Sequence, residues 1–192
     1  MQISSVTFKQ FYTPHLQKSS QKSNEQCELV KTFCSTFELP DENCNHAKFD
    51  ENLVQKIASY KEKAIQPVTD MLAKTDNEKD ATAGLFLLNR IIDAGASGAE
   101  KTYPVISKFN YSKSPNIQTM LAGIYRKTLV PDGFCALMTM YVENLPNHKT
   151  KPFDPNEEIC GAMLAYLNND KNTCNNFLEG LKNKAALSSY SK

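Results

Sequence analysis

The sequence predicts an all-α protein with a single helical domain over residues 24–186. Apolar residues recur at intervals of three and four through most of the chain, which is the period of one buried helix face. Proline, glycine or asparagine clusters separate these segments, and no alternating apolar and polar run is bounded by hairpin turns. With 41% hydrophobic and 22% charged residues among 192, the chain has enough apolar material for one core.

The two ends of the chain are expected to lie outside this core. The segment Gln17–Ser23 is polar and of low complexity, so we expect residues 1–23 to form a flexible N-terminal tail. The more apolar segment Val6–Tyr12 could instead dock against a partner in a larger assembly. Residues 187–192 are expected to form a frayed C-terminus.

The first half of the domain begins with a helix that should stop before Pro40. Its apolar face consists of Cys27, Val30, Phe33, Cys34 and Phe37. A second helix follows, with apolar positions at Leu53, Ile57, Tyr60 and Ala64. Pro67 is expected to open or kink the next helix, because proline has no backbone N–H to donate.

The middle of the chain carries the clearest helix signals. Residues 81–92 include eight apolar residues of twelve, so this helix is expected to be central. Ser97 and Glu100 have the spacing of a capping box, in which a hydroxyl and a carboxylate each satisfy a free backbone N–H. Ser114 followed by Pro115 is typical of an N-cap with proline at the first helical position.

The last third predicts further helices of the same kind. Residues 131–133 should end the helix begun at Pro115, and a new apolar stripe covers residues 134–145. Asp154 and Glu157 have the spacing of a second capping box. Two more apolar stripes follow, over residues 159–167 and 174–185.

Similar features recur at nearly constant separation along the chain. Pro67 and Pro104 are 37 residues apart, and Arg90 and Arg126 are 36 residues apart. The predicted caps at Ser114 and at residue 154 are separated by 40 residues. These intervals indicate a repeating helix pair of about 37 to 42 residues.

Residues 84–109 resemble a HEAT-type repeat, because an apolar first helix is followed by Asp93 in the turn and by Pro104 early in the second helix. The resemblance implies antiparallel helix pairs stacked as a short HEAT-like α-solenoid, in which each pair buries its apolar face against the next. It also implies a protein that binds proteins or peptides and rarely does chemistry. An irregular helical bundle would satisfy the same pattern.

The charge composition argues against several classes of partner. The 22 basic and 21 acidic residues give a net charge of +1, so we expect no nucleic-acid partner. Only two of the basic residues are arginines, the residues best suited to phosphate. We see neither a signal peptide nor a membrane-spanning segment, and we therefore expect a cytoplasmic protein without membrane contact. No cofactor is expected, because dinucleotide and phosphate-loop motifs are absent.

The six cysteines are expected to be reduced and mostly buried, acting as small apolar residues. Cys44 and His46 are the best local candidate for chemistry, because a thiolate and an imidazole in one loop could bind zinc together with Cys27 or Cys34. The last two lie about 10 Å apart along a helix, so both do not easily serve one metal ion. A disulfide from Cys44 to either of them remains open, and no metal site is assigned.

Together these patterns favour a non-enzymatic protein-binding or scaffold module, with no catalytic residue and with the oligomeric state left open. Asn89, Arg90 and Arg126 lie on the polar sides of otherwise apolar helices, and we take them as candidate contacts with a protein partner. The alternative is a helical-bundle metal- or thiol-dependent protein that uses the Cys44/His46 loop.

Overall fold

The computed structural model describes residues 14–40, 46–147 and 154–169, together with residues 175 and 179. Within these residues the chain forms helices and no strand, apart from one isolated antiparallel bridge between Glu38 and Lys48. The predicted all-α class is therefore confirmed. The α-helices are α1 (Pro14–Thr36), α2 (Glu51–Ser59), α3 (Glu62–Lys74), α4 (Glu78–Asp93), α5 (Tyr103–Ile106), α6 (Pro115–Thr128), α7 (Gly133–Asn144) and α8 (Asn156–Asn169).

Short 3₁₀ turns extend two of these helices. Ala99–Thr102 and Ser107–Phe109 flank α5, so that residues 99–109 form one helical segment, and Leu145–Asn147 continues α7. The stripe predicted over residues 174–185 lies outside the described residues except for positions 175 and 179, which are helical. The C-terminal residues 187–192 also lie outside them.

Helix α1 confirms the predicted apolar face, since Val30, Phe33, Cys34 and Phe37 are all buried. It begins at Pro14, however, inside the segment that we expected to be a tail. Residues 14–23 are rich in glutamine, lysine and serine, and an established helix extends through such residues without a new nucleation step. Residues 1–13 lie outside the described part of the chain.

The predicted helix over positions 53–64 is two helices in the structure. Lys61 takes a left-handed φ of 50° between α2 and α3, and this turns the chain. Ile57 and Ala64 are still buried, but on different helices. Pro67 lies inside α3, so of the two predicted roles it does not open a helix, and a kink in α3 stays a prediction.

The predicted helix caps have different outcomes. Ser114 does cap α6, because its Oγ accepts a hydrogen bond from the Ile117 N–H. Ser97 caps nothing: its N–H and its Oγ both donate to Glu62 Oε1, at 2.9 and 3.2 Å. The expected capping box fails because Gly98, with a φ of 83°, separates Ser97 from the following 3₁₀ turn.

At the start of α8 the predicted acidic cap is present in a modified form. Asp154 Oδ1 accepts a hydrogen bond from the Asn156 N–H at 2.9 Å. The carboxylate therefore satisfies one of the first amides of α8, as an N-terminal aspartate should.

Helices α2, α4, α6 and α8 pack next to one another in this order, and we call them the even row. At the start of α4 and α6, Ser114 Oγ donates to Glu78 Oε1, and the two residues are 36 positions apart. At their ends, Lys127 Nζ donates to Asn89 Oδ1 across 38 positions. Contacts at both ends in the same order mean that α4 and α6 are parallel.

The other two junctions of the even row are also direct contacts. Phe49, which leads into α2, has its ring centroid 4.7 Å from that of Phe86 on α4. Beyond α6, the Val130 carbonyl accepts a hydrogen bond from Tyr166 Oη of α8, 36 residues later. The even row thus places α4 and α6 between two neighbours each.

The helices between them form a second set of contacts. Ser97, just before the 99–109 segment, bonds to Glu62 at the start of α3, 35 residues earlier. At the other end Lys108 Nζ donates to the Ala73 carbonyl oxygen, again 35 residues earlier. These hydrogen bonds show that α3 and the 99–109 segment also run parallel.

Close approach of α4 and α6 depends on Gly123. A Cβ atom at this position would lie 2.8 Å from Asn89 Oδ1, which is closer than real Cβ atoms come to other atoms. Glycine at residue 123 therefore lets the Asn89 side chain lie between the two helices. The buried core continues on both sides of this contact through Leu85, Leu88, Leu121 and Ile124.

Candidate functional site

An apolar pocket lies between α4, α6 and the segment that leads into α2. We call it the α4–α6 pocket, and its volume is about 480 Å³. This size lies within the range of sites that bury small molecules. Its lining residues are Phe37, Pro40, His46, Ala47, Phe49, Thr82, Phe86, Asn116, Thr119 and Met120. No Asp, Glu, Lys or Arg is among these described residues.

Phenylalanine rings form one wall of the pocket. Phe86 stacks on Phe33 with the centroids 6.1 Å apart, and Phe49 lies 6.4 Å from Phe37. The Arg90 guanidinium lies 5.9 Å from the centre of the Phe86 ring, within cation–π distance. The phenylalanine wall therefore packs against the buried core at Phe33 and contacts the Arg90 guanidinium at its edge.

Two threonine hydroxyls in this pocket lack hydrogen-bond partners. Thr82 Oγ1 and Thr119 Oγ1 are buried and unpaired, and both residues line the pocket. Other helical threonines do have partners. Each hydroxyl donates to the carbonyl oxygen four residues earlier in Thr69 of α3, in Thr75 at the end of α3, and in Thr128 of α6. Leaving a buried hydroxyl without a partner costs about 1–3 kcal/mol. The pocket thus contains two unsatisfied polar groups in apolar surroundings.

Asn89, expected on a polar surface, is buried between α4 and α6 and is only 8% exposed. Its Nδ2 donates to the Met120 carbonyl oxygen at 2.8 Å, and its Oδ1 accepts from Lys127 Nζ at 3.1 Å. A side chain used in this way joins two helices and is not an exposed contact. The sequence pattern misassigned it because a polar residue at a helix–helix interface looks like a solvent-facing one.

Arg90 and Arg126 do lie at the surface of the even row, with their side chains 41% and 45% exposed. Each pairs with an acidic residue of a neighbouring helix, and a third ion pair of this kind joins α4 to α6. We call these pairs the ion-pair ladder. They are Arg90–Glu51, Lys127–Asp93 and Arg126–Glu158, with N···O distances of 2.6, 2.7 and 3.2 Å.

The described cysteines are free thiols with very different surroundings. Cys34 is 7% exposed, and burial raises the pKa of its thiol to about 12. It is therefore protonated at neutral pH and is a poor nucleophile or metal ligand. Cys27 and Cys160 are half-buried, whereas Cys135 is exposed. The expectation of burial is wrong for Cys135, which faces away from the core on α7.

The Cys44/His46 hypothesis lies only partly within the described residues. His46 is exposed and borders the α4–α6 pocket, whereas Cys44 lies outside the part that the structure describes. No three His, Cys, Asp or Glu side chains of the described residues are grouped as metal ligands would be. The Cys44/His46 metal or thiol role stays a prediction.

Sequence reasoning missed Thr82 and Thr119. They are 37 residues apart, which matches the 36- and 38-residue separations of the contacts between α4 and α6. This spacing was the available signal, because residues separated by the same interval as known contacts between two parallel helices tend to lie side by side. The sequence could not show that the two hydroxyls lack hydrogen-bond partners, because this depends on which atoms surround them in the folded protein.

No helix in the described part of the chain is long and apolar enough to cross a membrane. Comparisons with protein-family models, with curated protein sequences and with solved structures found no match for this chain. We therefore infer a function from the arrangement of the helices and from the side chains of the candidate site.

Proposed function

We propose that this protein is a non-enzymatic protein-binding module, built as a short stack of HEAT-like helix pairs that binds a partner along the even row. The observation that carries the proposal is the parallel order of α4 and α6, with contacts 36 and 38 residues apart at their two ends. In stacked repeats, equivalent helices form a continuous surface suited to an extended partner.

The ion-pair ladder supports a protein as the partner. Arg90, Arg126 and Lys127 place three cations on neighbouring helices, and each lies within 3.2 Å of a carboxylate oxygen. Such a surface carries both signs of charge in alternation and offers little net attraction to a nucleic-acid backbone. A protein segment that itself carries both signs can exchange ion pairs with it, which gives orientation and specificity.

Charge reversal on the even row tests the proposal. We expect Arg126→Glu and Arg90→Glu each to lower capture of the partner from cell extract about tenfold, because like charges at an interface are strongly unfavourable. The ladder residues are largely solvated, so each pair contributes about 0–1 kcal/mol to folding. Thermal unfolding of the variants should therefore stay close to that of the unchanged protein.

The matched control is Lys113→Glu. Lys113 forms an ion pair with Glu143 of α7, just before the start of α6 and therefore at the opposite end of that helix from Arg126 and Lys127. Capture of the same partner should survive this change. Equal capture by all variants, or loss of capture in the Lys113 variant alone, would contradict a docking surface on the even row.

A further inference from the structure

We propose that the α4–α6 pocket binds an uncharged aromatic small molecule that carries one carbonyl or hydroxyl oxygen. This ligand site has its own lining residues, and it adjoins the partner surface proposed above where Arg90 contacts Phe86. Three independent observations support it: the pocket, the two unpaired threonine hydroxyls, and the lack of Asp, Glu, Lys and Arg among the described lining residues.

The shape and lining of the pocket define the apolar part of the ligand. A volume of about 480 Å³ exceeds what one or two water molecules fill and fits a small organic molecule. Phe37, Phe49 and Phe86 supply ring faces and edges, against which a flat aromatic body packs well. Met120 on α6 adds a flexible apolar side chain that adapts to ligand shape.

The threonines define the polar part of the ligand. Thr82 is 4% exposed, and neither its hydroxyl nor that of Thr119 has a partner. A hydroxyl can donate to a carbonyl oxygen, and it can also accept from a hydroxyl group. Thr82 and Thr119 are 37 residues apart, between the 36- and 38-residue separations of the contacts that join α4 and α6, so we place them side by side and expect one ligand oxygen that enters between them to bond to both hydroxyls.

The described lining residues include no Asp, Glu, Lys or Arg, and His46 is the one titratable side chain among them. An ionised ligand group would lose its water without meeting a carboxylate, ammonium or guanidinium group of these residues, and burial of an unpaired charge is very unfavourable. A neutral carbonyl or hydroxyl needs only hydrogen bonds. We therefore expect neutral ligands to bind more tightly than carboxylates, sulfonates and amines of the same shape.

The fluorescent ketone 6-propionyl-2-dimethylaminonaphthalene is a suitable probe, because it is a neutral naphthalene with one carbonyl. The protein has no tryptophan, so the emission of the dye is measured without overlap. We expect saturable binding of one equivalent with emission shifted to the blue. The carbonyl-free 2-dimethylaminonaphthalene should bind about tenfold more weakly, since one hydrogen bond is lost. The charged 1-anilinonaphthalene-8-sulfonate should not compete.

The double variant Thr82→Val/Thr119→Val isolates the hydrogen bonds, because valine keeps the shape of threonine. It should bind the ketone about tenfold more weakly and the carbonyl-free dye unchanged. Its unfolding midpoint should be unchanged or higher, since two unpaired hydroxyls are removed. Thr69→Val/Thr128→Val is the control, because those hydroxyls have partners outside the pocket.

Three outcomes would overturn the proposal. The first is no saturable binding of either neutral dye, which would leave a pocket filled by water alone. The second is equal ketone affinity in the unchanged protein and the Thr82/Thr119 variant, which would mean unspecific dye uptake. The third is displacement of the ketone by the sulfonate, which would contradict a site for neutral ligands.

Discussion

At the scale of single residues, the polar groups buried in this protein do structural work that their residue types do not reveal. Asn89 supplies hydrogen bonds to two different parts of α6. Tyr125 is fully buried, and its hydroxyl donates to Asn110 Oδ1. Such groups fix the relative positions of helices, because a shifted helix would leave them without a partner.

We expect Asn89→Ala to lower the free energy of unfolding by about 1–3 kcal/mol, since it removes hydrogen bonds between α4 and α6 in a buried place. Urea denaturation measures this change. The matched control is Asn116→Ala, which removes an amide that reaches only Glu78 at 3.3 Å near the surface. If both substitutions cost the same, Asn89 does not have the bridging role described here.

The buried Cys34 thiol makes stability depend on alkaline pH. Burial raises its pKa from 9.0 to about 12, so the unfolded chain loses this proton more readily than the folded one. The stabilising contribution is complete below about pH 9 and is lost as the pH rises towards 12, by about 2 kcal/mol at pH 10.5. Burial also raises the pKa of Tyr125, which acts in the same direction above pH 10.

Urea unfolding at pH 8 and at pH 10.5 tests this dependence. The fall in stability between the two pH values should be smaller in Cys34→Ala than in the unchanged protein. An equal fall in both proteins would mean that Cys34 is not the group responsible.

At the scale of helices, the junction of α2 and α3 carries a conformation that its residue does not favour. Lys61 has a φ of 50° and a ψ of −125°, a region that suits glycine and is unfavourable for residues with a Cβ atom. Its side chain is exposed, so nothing in the core compensates. The turn between the helices allows α2 to bury Ile57 and α3 to bury Ala64.

We expect Lys61→Gly to raise the free energy of unfolding by about 1 kcal/mol, since the backbone strain is relieved. Lys63→Gly is the control two residues later, in α3, where glycine should cost about 1 kcal/mol. Thermal unfolding distinguishes the two signs. A destabilised Lys61 variant would show that the observed φ is not the conformation of this turn.

How far the helices could be predicted depended on whether their signals were local. The cap at Ser114 was correct, because an N-cap and the next three residues form one local unit. The capping box predicted at Ser97 was wrong, because Gly98 turns the chain there and Ser97 instead donates a hydrogen bond to Glu62 of α3. The helix over residues 14–23 was missed, because a polar segment has no apolar stripe in its sequence to indicate a helix.

At the scale of the whole molecule, we expect the helices of the even row to differ in their stability against local opening. Helices α4 and α6 each pack between two neighbours of the row, and residues such as Leu87, Leu88, Leu121 and Ile124 are fully buried. A helix of the row is stabilised largely by the neighbours that it packs against. The middle of the even row should therefore open last.

Amide hydrogen exchange followed by mass spectrometry should show the slowest exchange in α4 and α6 and faster exchange in α2 and α8. The reason is that the outer helices of the described row have one neighbour in the row instead of two. Uniform protection over all four helices would indicate one cooperative unit and would contradict this gradient.

The candidate site could be predicted only in part, for reasons that belong to this larger scale. Arg90 and Arg126 were chosen correctly as surface residues, because polar positions on apolar helices are usually solvated. The α4–α6 pocket was not predicted, since it is formed by residues from four segments between Phe37 and Met120. Its two unpaired hydroxyls became visible only when the neighbours of Thr82 and Thr119 were known.

Gly123 has a consequence for the shape of the protein under mutation. Helix α6 packs on α4 at this glycine, and α7 and α8 pack in turn on α6. The spacing of α4 and α6 therefore also affects the positions of α7 and α8. One added methyl group would collide with Asn89 Oδ1, so that either the Asn89 side chain would leave its place or α6 would move away from α4. Either change would disturb the hydrogen bonds by which Asn89 joins the two helices. The contact between α4 and α6 thus depends on a single hydrogen atom where other residues carry a carbon.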